Sequence, residues 1–250
     1  MTLRFLVIQH EDECPPEWFG QWWEEVGVEL DVVLAHTGAA VPRDLGEHDA
    51  LVVLGGEMGA NDDETHRWLT PTKRLIRTVI EDDQPFLGIC LGHQLAAAAL
   101  GGLVEVNACG HATGLTPVSL TADGLADPLL GPVPQGSEAI QWNNDVVTRL
   151  PEGATRLATA PDGTVQAARW GARAWGVQFH PETSAAQFRS WTVDKSSAAI
   201  PREDGVDVFA TSAAVDAAQE RLRTNWRPLA VRFAGLAATR LEAEPAAGGS

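Results

Sequence analysis

The sequence predicts an α/β protein with an open, mostly parallel central sheet and helices on both of its faces. In the first hundred residues, short apolar runs rich in branched side chains alternate with helix-like stretches. Buried parallel strands have this composition because both of their faces are covered, and strand–helix–strand repeats build such a sheet. A chain of 250 residues with 44% hydrophobic content is also long enough to bury the core of one large domain.

Apolar runs and boundary residues predict the elements of the first half. Strands are expected over residues 3–9, 28–35, 49–56 and 84–90. Helices are expected over residues 15–27, 70–82 and 91–102. The first helix begins with Pro and ends with Gly, and Thr70-Pro71 is typical of an N-cap followed by a first-turn residue. The third helix is rich in Ala and ends at a Gly pair.

The second half changes to short strands separated by Gly, Pro, Asn and Asp, which predicts a small antiparallel addition to the sheet. These strands are expected over residues 116–121, 137–142, 154–160, 164–170 and 172–179. A helix is expected over residues 184–191.

We expect residues 1–192 to form one domain, and residues 193–250 to form a helical C-terminal extension packed on that same domain. The predicted parts of the extension are a polar loop over 194–205, a helix over 213–238 and a disordered tail over 244–250. The helix is expected to kink near Pro228.

Charge and cysteine content argue against several classes of protein. With 34 acidic and 18 basic residues, the net charge of −16 repels phosphate backbones, so we expect no nucleic-acid partner. Three cysteines without CxxC spacing favour a reducing, cytoplasmic location. The N-terminus is a poor signal peptide and no apolar stretch has the length of a bilayer span, so we expect no membrane association.

The sequence GICLG at residues 88–92 predicts a nucleophile at Cys90. Its G-x-C-x-G form is that of a nucleophile elbow, in which glycines permit a tight turn between a strand and a helix. The helix N-terminus favours a thiolate, and its free N–H groups can hold an oxyanion. These residues alone leave a second interpretation open, since a buried cysteine is usually a small hydrophobic side chain.

A general acid and base for this thiol is predicted at His180. His180 ends an apolar strand in GVQFHPET, and Glu182 follows two residues later. Residues two apart on a strand point the same way, so the carboxylate could orient the imidazole as the third member of a triad. A strand-end histidine beside a solvated glutamate is the alternative for this motif alone.

Together these motifs resemble those of the class I glutamine amidotransferases, the triad-type glutaminase domains. GICLGHQ (88–94) resembles the family's G-x-C-x-G-x-Q signature, GVQFHPE (176–182) its histidine–glutamate signature, and LVVLGGEMG (51–59) its oxyanion loop. The resemblance spans residues 3–190 and is closest to stand-alone proteins similar to the amidotransferase domain of GMP synthase. It implies a flavodoxin-like fold.

The resemblance also implies a role for each matching residue. Cys90 would attack the side-chain amide of glutamine, His180 would protonate the departing ammonia and then activate water, and Glu182 would orient His180. The backbone N–H groups expected to hold the oxyanion are those of Gly56 and Leu91. The residues expected to line the glutamine pocket are Gln94 and the segment Trp142, Asn143, Asn144 and Asp145, which corresponds to the family's S-H-G-D.

Three positions depart from the family pattern. Asn143 stands where His is usual, and Asn144 where Gly is usual. A side chain at 144 could narrow the pocket or require a different backbone angle, although Asn tolerates positive φ better than most residues. Ala112 replaces a glutamate that often precedes the second glycine of its segment. These differences bear on whether free glutamine is the substrate.

Other candidate sites have simpler explanations. The segment HEDEC at residues 10–14 offers potential metal ligands, but a polar loop after the first strand explains it better, and such a loop could contact substrate. His93 belongs to the common GHQ form, so we assign it no catalytic role. Gly55-Gly56 lacks the Gly-Lys-Ser/Thr of a P-loop. We therefore expect neither a metal nor a cofactor.

Three functions remain open at this point. The first is hydrolysis of glutamine through a cysteinyl thioester, with ammonia supplied to a separate synthetase as the protein partner. The second keeps the thiol chemistry but acts alone on a γ-glutamyl amide or a related small conjugate. The third is a non-catalytic binding or regulatory subunit; the intact Cys90, His180 and Glu182 argue against it. The altered segment 142–145 and the lack of a synthetase module keep the second open.

Overall fold

The alternating pattern of the sequence produces twelve strands within the part of the chain that the structure describes. The structure is a computed structural model and describes residues 2–193 and 198–243. The strands are β1 (Leu3–Gln9), β2 (Val28–Leu34), β3 (Ala50–Val53), β4 (Phe86–Ile89), β5 (Leu103–Val106), β6 (Ala112–Pro117), β7 (Ser119–Leu120), β8 (Glu138–Asn143), β9 (Asp145–Arg149), β10 (Thr155–Thr159), β11 (Val165–Gly171) and β12 (Ala174–Val177).

In the same described part of the chain, seven α-helices connect or cover these strands. They are α1 (Glu17–Glu25), α2 (Leu69–Glu81), α3 (Leu91–Ala99), α4 (Ala122–Ala126), α5 (Ala185–Val193), α6 (Ala199–Glu203) and α7 (Val208–Ala243). A short 3₁₀ helix, Ala35–Thr37, follows β2.

Eight strands form the central sheet, in the order β2-β1-β3-β4-β12-β11-β10-β7. The five from β2 to β12 are parallel, which confirms the predicted fold class. The strand predicted at 172–179 joins the two parts of the sheet, because β12 pairs antiparallel to β11, as predicted, but also parallel to β4, with Val177 opposite Ile89. The antiparallel addition consists of β11, β10 and β7.

Both faces of this sheet are buried. Along β1, Phe5 and Val7 belong to one hydrophobic cluster, whereas Leu6 and Ile8 belong to the other. Successive side chains of a strand point to opposite faces, so the continuous apolar run of β1 supplies both cores.

Two small antiparallel sheets stand beside the main one, formed by β5 with β9 and by β6 with β8. β5 and β9 were not predicted. The predicted single strand at 116–121 is wrong in its extent, because the chain leaves one sheet for another at Val118: β6 ends before this residue, and β7 after it joins the central sheet.

The predicted N-cap at Thr70 is also wrong. Helix α2 begins at Leu69, so Thr70 lies within its first turn, where its hydroxyl donates to Asp63 Oδ1 at 2.6 Å. Pro71 still occupies the first turn, where a missing N–H costs no helical hydrogen bond.

The C-terminal part of the chain is more helical than predicted. Helix α6 lies within the expected loop at 194–205, and α7 extends past both ends of the expected helix, with Pro228 inside it. Residues 194–197 and the predicted tail at 244–250 lie outside the described residues. No helix in the described part of the chain is long and apolar enough to cross a membrane.

Helix α7 packs on the same core as the rest of the chain. Trp226 and Phe233 are buried in one of the two hydrophobic clusters, and Trp23 Nε1 donates to the carbonyl oxygen of Ala230 at 2.9 Å. The division into residues 1–192 and an extension stays a prediction.

Candidate active site

A pocket of about 470 Å³ opens near the carboxyl ends of β3, β4 and β12, where open α/β sheets bind ligands. The predicted site residues that line it are Gly56, Cys90, Gln94, Trp142, Asn143, Asn144, Asp145 and His180. Leu91 and Glu182 lie behind this lining and do not form part of it. The chain thus brings residues from both halves of the sequence to one cavity.

Cys90 stands at a strained turn between β4 and α3. Its φ of 49° and ψ of −105° are unusual for a residue with a side chain. The flanking glycines are required by close backbone approaches: a Cβ at Gly88 would lie 2.6 Å from Gly92 O, and a Cβ at Gly92 would lie 2.0 Å from Val53 O. The turn therefore has the geometry of a nucleophile elbow.

His180 and Glu182 form a buried pair at the end of β12. His180 Nδ1 donates to Glu182 Oε1 at 2.7 Å, and both side chains are only 3% exposed. The His180 backbone N–H donates to the carbonyl oxygen of Ile140 at 2.8 Å, and Thr183 Oγ1 donates to Glu182 Oε1 at 3.1 Å. These contacts fix the position and orientation of the imidazole.

The protonated form of His180 is stabilised by its neighbours. Burial by itself lowers the pKa of His180, but the negative charge of Glu182 and a hydrogen bond with the Cys90 thiol outweigh it, so the pKa lies above its ordinary value. Cys90 and His180 both flank Gly55, where an added Cβ would lie 2.9 Å from His180 Cε1 and 3.6 Å from Cys90 Cβ. The thiol and the imidazole can therefore exchange a proton.

Gln178 is a contact of the thiol that the sequence did not reveal. Its Nε2 donates to Cys90 Sγ at 3.7 Å, and its Oε1 accepts from Gln94 Nε2 at 3.2 Å. Gln94 Nε2 also donates to the carbonyl oxygen of Asp145 at 2.8 Å. The sequence offers one indication of this contact: Gln178 precedes His180 by two residues, and residues two apart on a strand point the same way.

Gly56 and Leu91 lie side by side above the elbow. A Cβ at Gly56 would lie 3.1 Å from Leu91 Cδ2, and Leu91 is the first residue of α3, so its N–H is among the unpaired donors of the helix N-terminus. Backbone N–H groups in these places could hold a developing oxyanion.

The segment 142–145 forms the opposite wall of the pocket. Asn143 Nδ2 donates to the carbonyl oxygen of Asp145 at 3.0 Å, and the carbonyl oxygen of Asn144 accepts from the Asn107 N–H at 2.8 Å. Asn144 does not adopt positive φ. Its side chain is therefore accommodated without the backbone angle that Gly would favour.

The polar loop after β1 reaches the same cavity. Glu11 and Cys14 line the pocket, and Cys14 Sγ donates to Glu11 Oε1 at 3.0 Å. His10 is fully buried and accepts from Trp68 Nε1 at 3.1 Å. Within residues 2–193 and 198–243, no three His, Cys, Asp or Glu side chains form a group that could hold a metal ion.

A parallel α/β sheet that presents a cysteine at a nucleophile elbow, opposite a buried histidine–glutamate pair, is the architecture of a thiol-dependent α/β hydrolase or transferase. The family profile described as glutamine amidotransferase class-I matches residues 19–196. The chain belongs to this family.

Individual relatives and a solved structure agree with this assignment. The chain is 29% identical to γ-glutamyl peptidase 5 of Arabidopsis thaliana over 56% of each protein, so it spans about half the length of that relative. It is 33% identical to the glutamine-hydrolyzing GMP synthase of Aeropyrum pernix, over 68% of the chain and 31% of the relative. A glutamine amidotransferase from Thermotoga maritima superposes with a TM-score of 0.81 at 27% identity, over 93% of this chain and 98% of that one.

Proposed function

We propose that the chain is a thiol amidohydrolase that cleaves the side-chain amide of glutamine or of a γ-glutamyl compound. The observation that carries the proposal is the position of Cys90 at a strained elbow, beside the buried pair of His180 and Glu182. Family membership supports the same class of reaction, since it is the amidotransferase family that matches.

The reaction would proceed in two half-reactions. The sulfur of Cys90 attacks the amide carbon, while the backbone N–H groups of Gly56 and Leu91 hold the oxyanion. His180 donates its proton to the departing amine, which leaves a γ-glutamyl thioester. His180 then accepts a proton from water, the hydroxide attacks the thioester, and glutamate and the free thiol are formed. Glu182 keeps the imidazole oriented and compensates its charge in both steps.

The leaving group distinguishes two versions of this function. If it is ammonia, the chain would supply a separate synthetase, and the likeness to a GMP synthase favours that version. If it is a larger amine, the chain would act alone, and the likeness to a γ-glutamyl peptidase favours this second version.

Substitution of the nucleophile tests the shared chemistry. Cys90→Ala should abolish release of ammonia or amine from a panel of glutamine and γ-glutamyl amides, with little effect on packing. More than a trace of wild-type turnover in this variant would exclude Cys90 as the nucleophile.

Covalent labelling gives an independent test. A diazo-ketone analogue of glutamine should label Cys90 and spare Cys14, because burial, followed by the charge of Glu11, raises the pKa of the Cys14 thiol well above its ordinary value. Exposed Cys109 is the control for simple accessibility. Equal labelling of all three thiols would show that Cys90 is not specially activated.

A further inference from the structure

The side-chain amide of Gln178 is buried against the sulfur of Cys90. Gln178 directly follows β12, its side chain has no exposed surface, and its Nε2 lies 3.7 Å from Cys90 Sγ. A buried amide is costly unless hydrogen bonds within the protein replace those with water. An apolar side chain would fill this space without that cost, so packing alone does not account for a glutamine beside the nucleophile.

The orientation of this amide is fixed by a second glutamine. Gln94 Nε2 donates to the carbonyl oxygen of Asp145 at 2.8 Å, and because a carbonyl oxygen can only accept, this contact identifies the nitrogen of the Gln94 amide. The same nitrogen donates its other hydrogen to Gln178 Oε1 at 3.2 Å. The oxygen of Gln178 therefore faces Gln94, and its N–H group faces Cys90.

An N–H donor beside the sulfur favours the negatively charged thiolate. Hydrogen bonds to charged acceptors are stronger than those to neutral ones, so Gln178 stabilises the thiolate relative to the thiol. The titratable groups next to the sulfur are His180 and Cys14. Behind them lie their hydrogen-bond partners, Glu182 and Glu11. Gln178 differs from all four because it carries no charge and remains a donor at every pH.

Gln178 can also stay with the sulfur while His180 serves the substrate. In the proposed reaction, His180 gives its proton to the departing amine and later accepts one from water. Its hydrogen bond with Cys90 is therefore not kept throughout the cycle. The Gln178 amide transfers no proton and is held in place by Gln94. A donor that is fixed in advance needs no reorganisation during the reaction.

We infer that Gln178 is a further catalytic residue, which holds negative charge on the sulfur of Cys90, and that Gln94 is its positioning residue. The inference rests on the proposed function, because it concerns the nucleophile of that reaction. It also limits what Gln94 can offer from the pocket wall. Both hydrogens of its amide are used within the protein, so only its oxygen remains for a substrate.

Alkylation of the free protein by iodoacetamide tests this role without a substrate. The rate at each cysteine is followed by mass spectrometry of its peptide, from acidic to alkaline pH. In Gln178→Met, which conserves size but has no donor, the rate at Cys90 at about pH 6 should fall about tenfold, or about 1.4 kcal/mol for a hydrogen bond to a charged group. At high pH the thiol is ionised in both proteins, so the two rates should converge.

Gln166→Met makes the same change in a buried glutamine of the neighbouring strand β11 and is the matched control. The carbonyl oxygen of Gln166 accepts the Gln178 backbone N–H at 2.9 Å, but its side chain bonds to Gln141 and Thr164 and not to the thiol. This variant should leave the Cys90 profile unchanged.

Three results would overturn the assignment of Gln178. One is a loss smaller than about twofold in Gln178→Met at about pH 6, and another is an equal loss in Gln166→Met. The third is a rate at Cys90 that changes by the same factor at every pH, which would show altered access to the pocket. Cys14 in the same pocket and exposed Cys109 are the internal references for access and for the reagent.

A double-mutant cycle tests the positioning role of Gln94 in the same assay. Gln94→Leu should lower the Cys90 rate at about pH 6 by about threefold, because the Gln178 amide loses the partner that orients it. In the Gln178→Met background, the same change should add less than about twofold. Losses that multiply in the double variant would remove Gln94 from the assignment.

Hydrolysis separates this inference from the proposed function. With a γ-glutamyl amide, Gln178→Met should lower kcat about tenfold and change KM by less than about twofold, because the amide contacts the nucleophile. Hydrolysis by the wild-type protein together with an unchanged alkylation profile in Gln178→Met would retain the hydrolase and remove Gln178. A tenfold slower alkylation of Gln178→Met, in a protein that cleaves no amide, would retain the thiolate donor and remove the hydrolase.

Discussion

Replacing Glu182 by Gln should lower the pKa of His180 and slow amide hydrolysis. The change conserves shape and leaves an oxygen that can accept from Thr183, but it removes a buried negative charge. In the wild-type protein, burial lowers the pKa of His180, and the charge of Glu182 is the first of the influences that raise it. With that charge absent, Cys90 and the remaining hydrogen bond oppose burial less strongly, so the pKa should fall below its wild-type value.

The size of the effect follows from the geometry of the pair. A 2.7 Å hydrogen bond between side chains that are 3% exposed is a desolvated, charge-assisted bond. Such bonds contribute about 1.5–3 kcal/mol, which corresponds to a roughly 10- to 150-fold loss in kcat/KM. His180→Ala removes the proton-transfer group itself and should cost about 10²–10⁴-fold. Thr183→Val removes the longer, 3.1 Å hydrogen bond to the Glu182 carboxylate, which at the lower end of the range for charge-assisted bonds contributes about 1.5 kcal/mol, and should cost about tenfold.

Two measurements test this ordering. Steady-state hydrolysis of a γ-glutamyl amide gives kcat/KM for the three variants, and NMR of isotope-labelled histidine gives the pKa of His180 in wild type and in Glu182→Gln. An unchanged pKa would refute the electrostatic reasoning. A loss in Glu182→Gln as large as that in His180→Ala would show that Glu182 transfers a proton directly.

Three further predictions concern stability and specificity. Gly92→Ala places a Cβ 2.0 Å from a backbone oxygen and should reduce the free energy of unfolding by about 3 kcal/mol. Gly235→Ala is the control, because its Cβ would lie in open space on α7, and it should raise the free energy of unfolding by up to about 1 kcal/mol. Urea denaturation measures both changes. Burial lowers the pKa of His10 and His93 to about 3 each, so the unfolded state binds more protons below pH 6.5. The contribution of these neutral histidines to the free energy of unfolding is therefore fully present above pH 6.5 and should decrease as the pH falls, by about 1.4 kcal/mol per histidine per pH unit. A free energy of unfolding that stays constant between pH 6.5 and 5 would contradict this prediction. Asn144→Gly should raise kcat/KM for free glutamine by enlarging the pocket, since Asn144 needs no positive φ; equal or poorer hydrolysis would show that the asparagine does not obstruct glutamine.

The elbow could be predicted from sequence because its requirements are local. The glycines on either side of Cys90 are needed for contacts within one strand–helix turn and its immediate neighbour strand, and they leave a recognisable spacing. The pairing of His180 with Glu182 is likewise local, since only one residue separates the two in the chain.

Features that depend on long-range pairing could not be predicted in the same way. β12 has the apolar composition of either a parallel or an antiparallel strand, and only the folded sheet shows that it is parallel to β4 and antiparallel to β11. β5 and β9 are short, and each forms a strand only by pairing with the other, which is distant along the chain. In the sequence, Gln178 is a single polar residue next to an apolar run. Only the folded sheet places its side-chain amide against the Cys90 thiol.

The position of β12 in the middle of the central sheet has a consequence for folding. During synthesis, β1 to β4 and α3 are complete long before β12 emerges, so the apolar strand β4 has one unpaired edge throughout that interval. An open edge of this kind can pair with another chain, which makes this stage prone to aggregation. The same strand insertion brings His180 to Cys90, so a chain that misassembles at this edge also lacks the complete set of reacting groups.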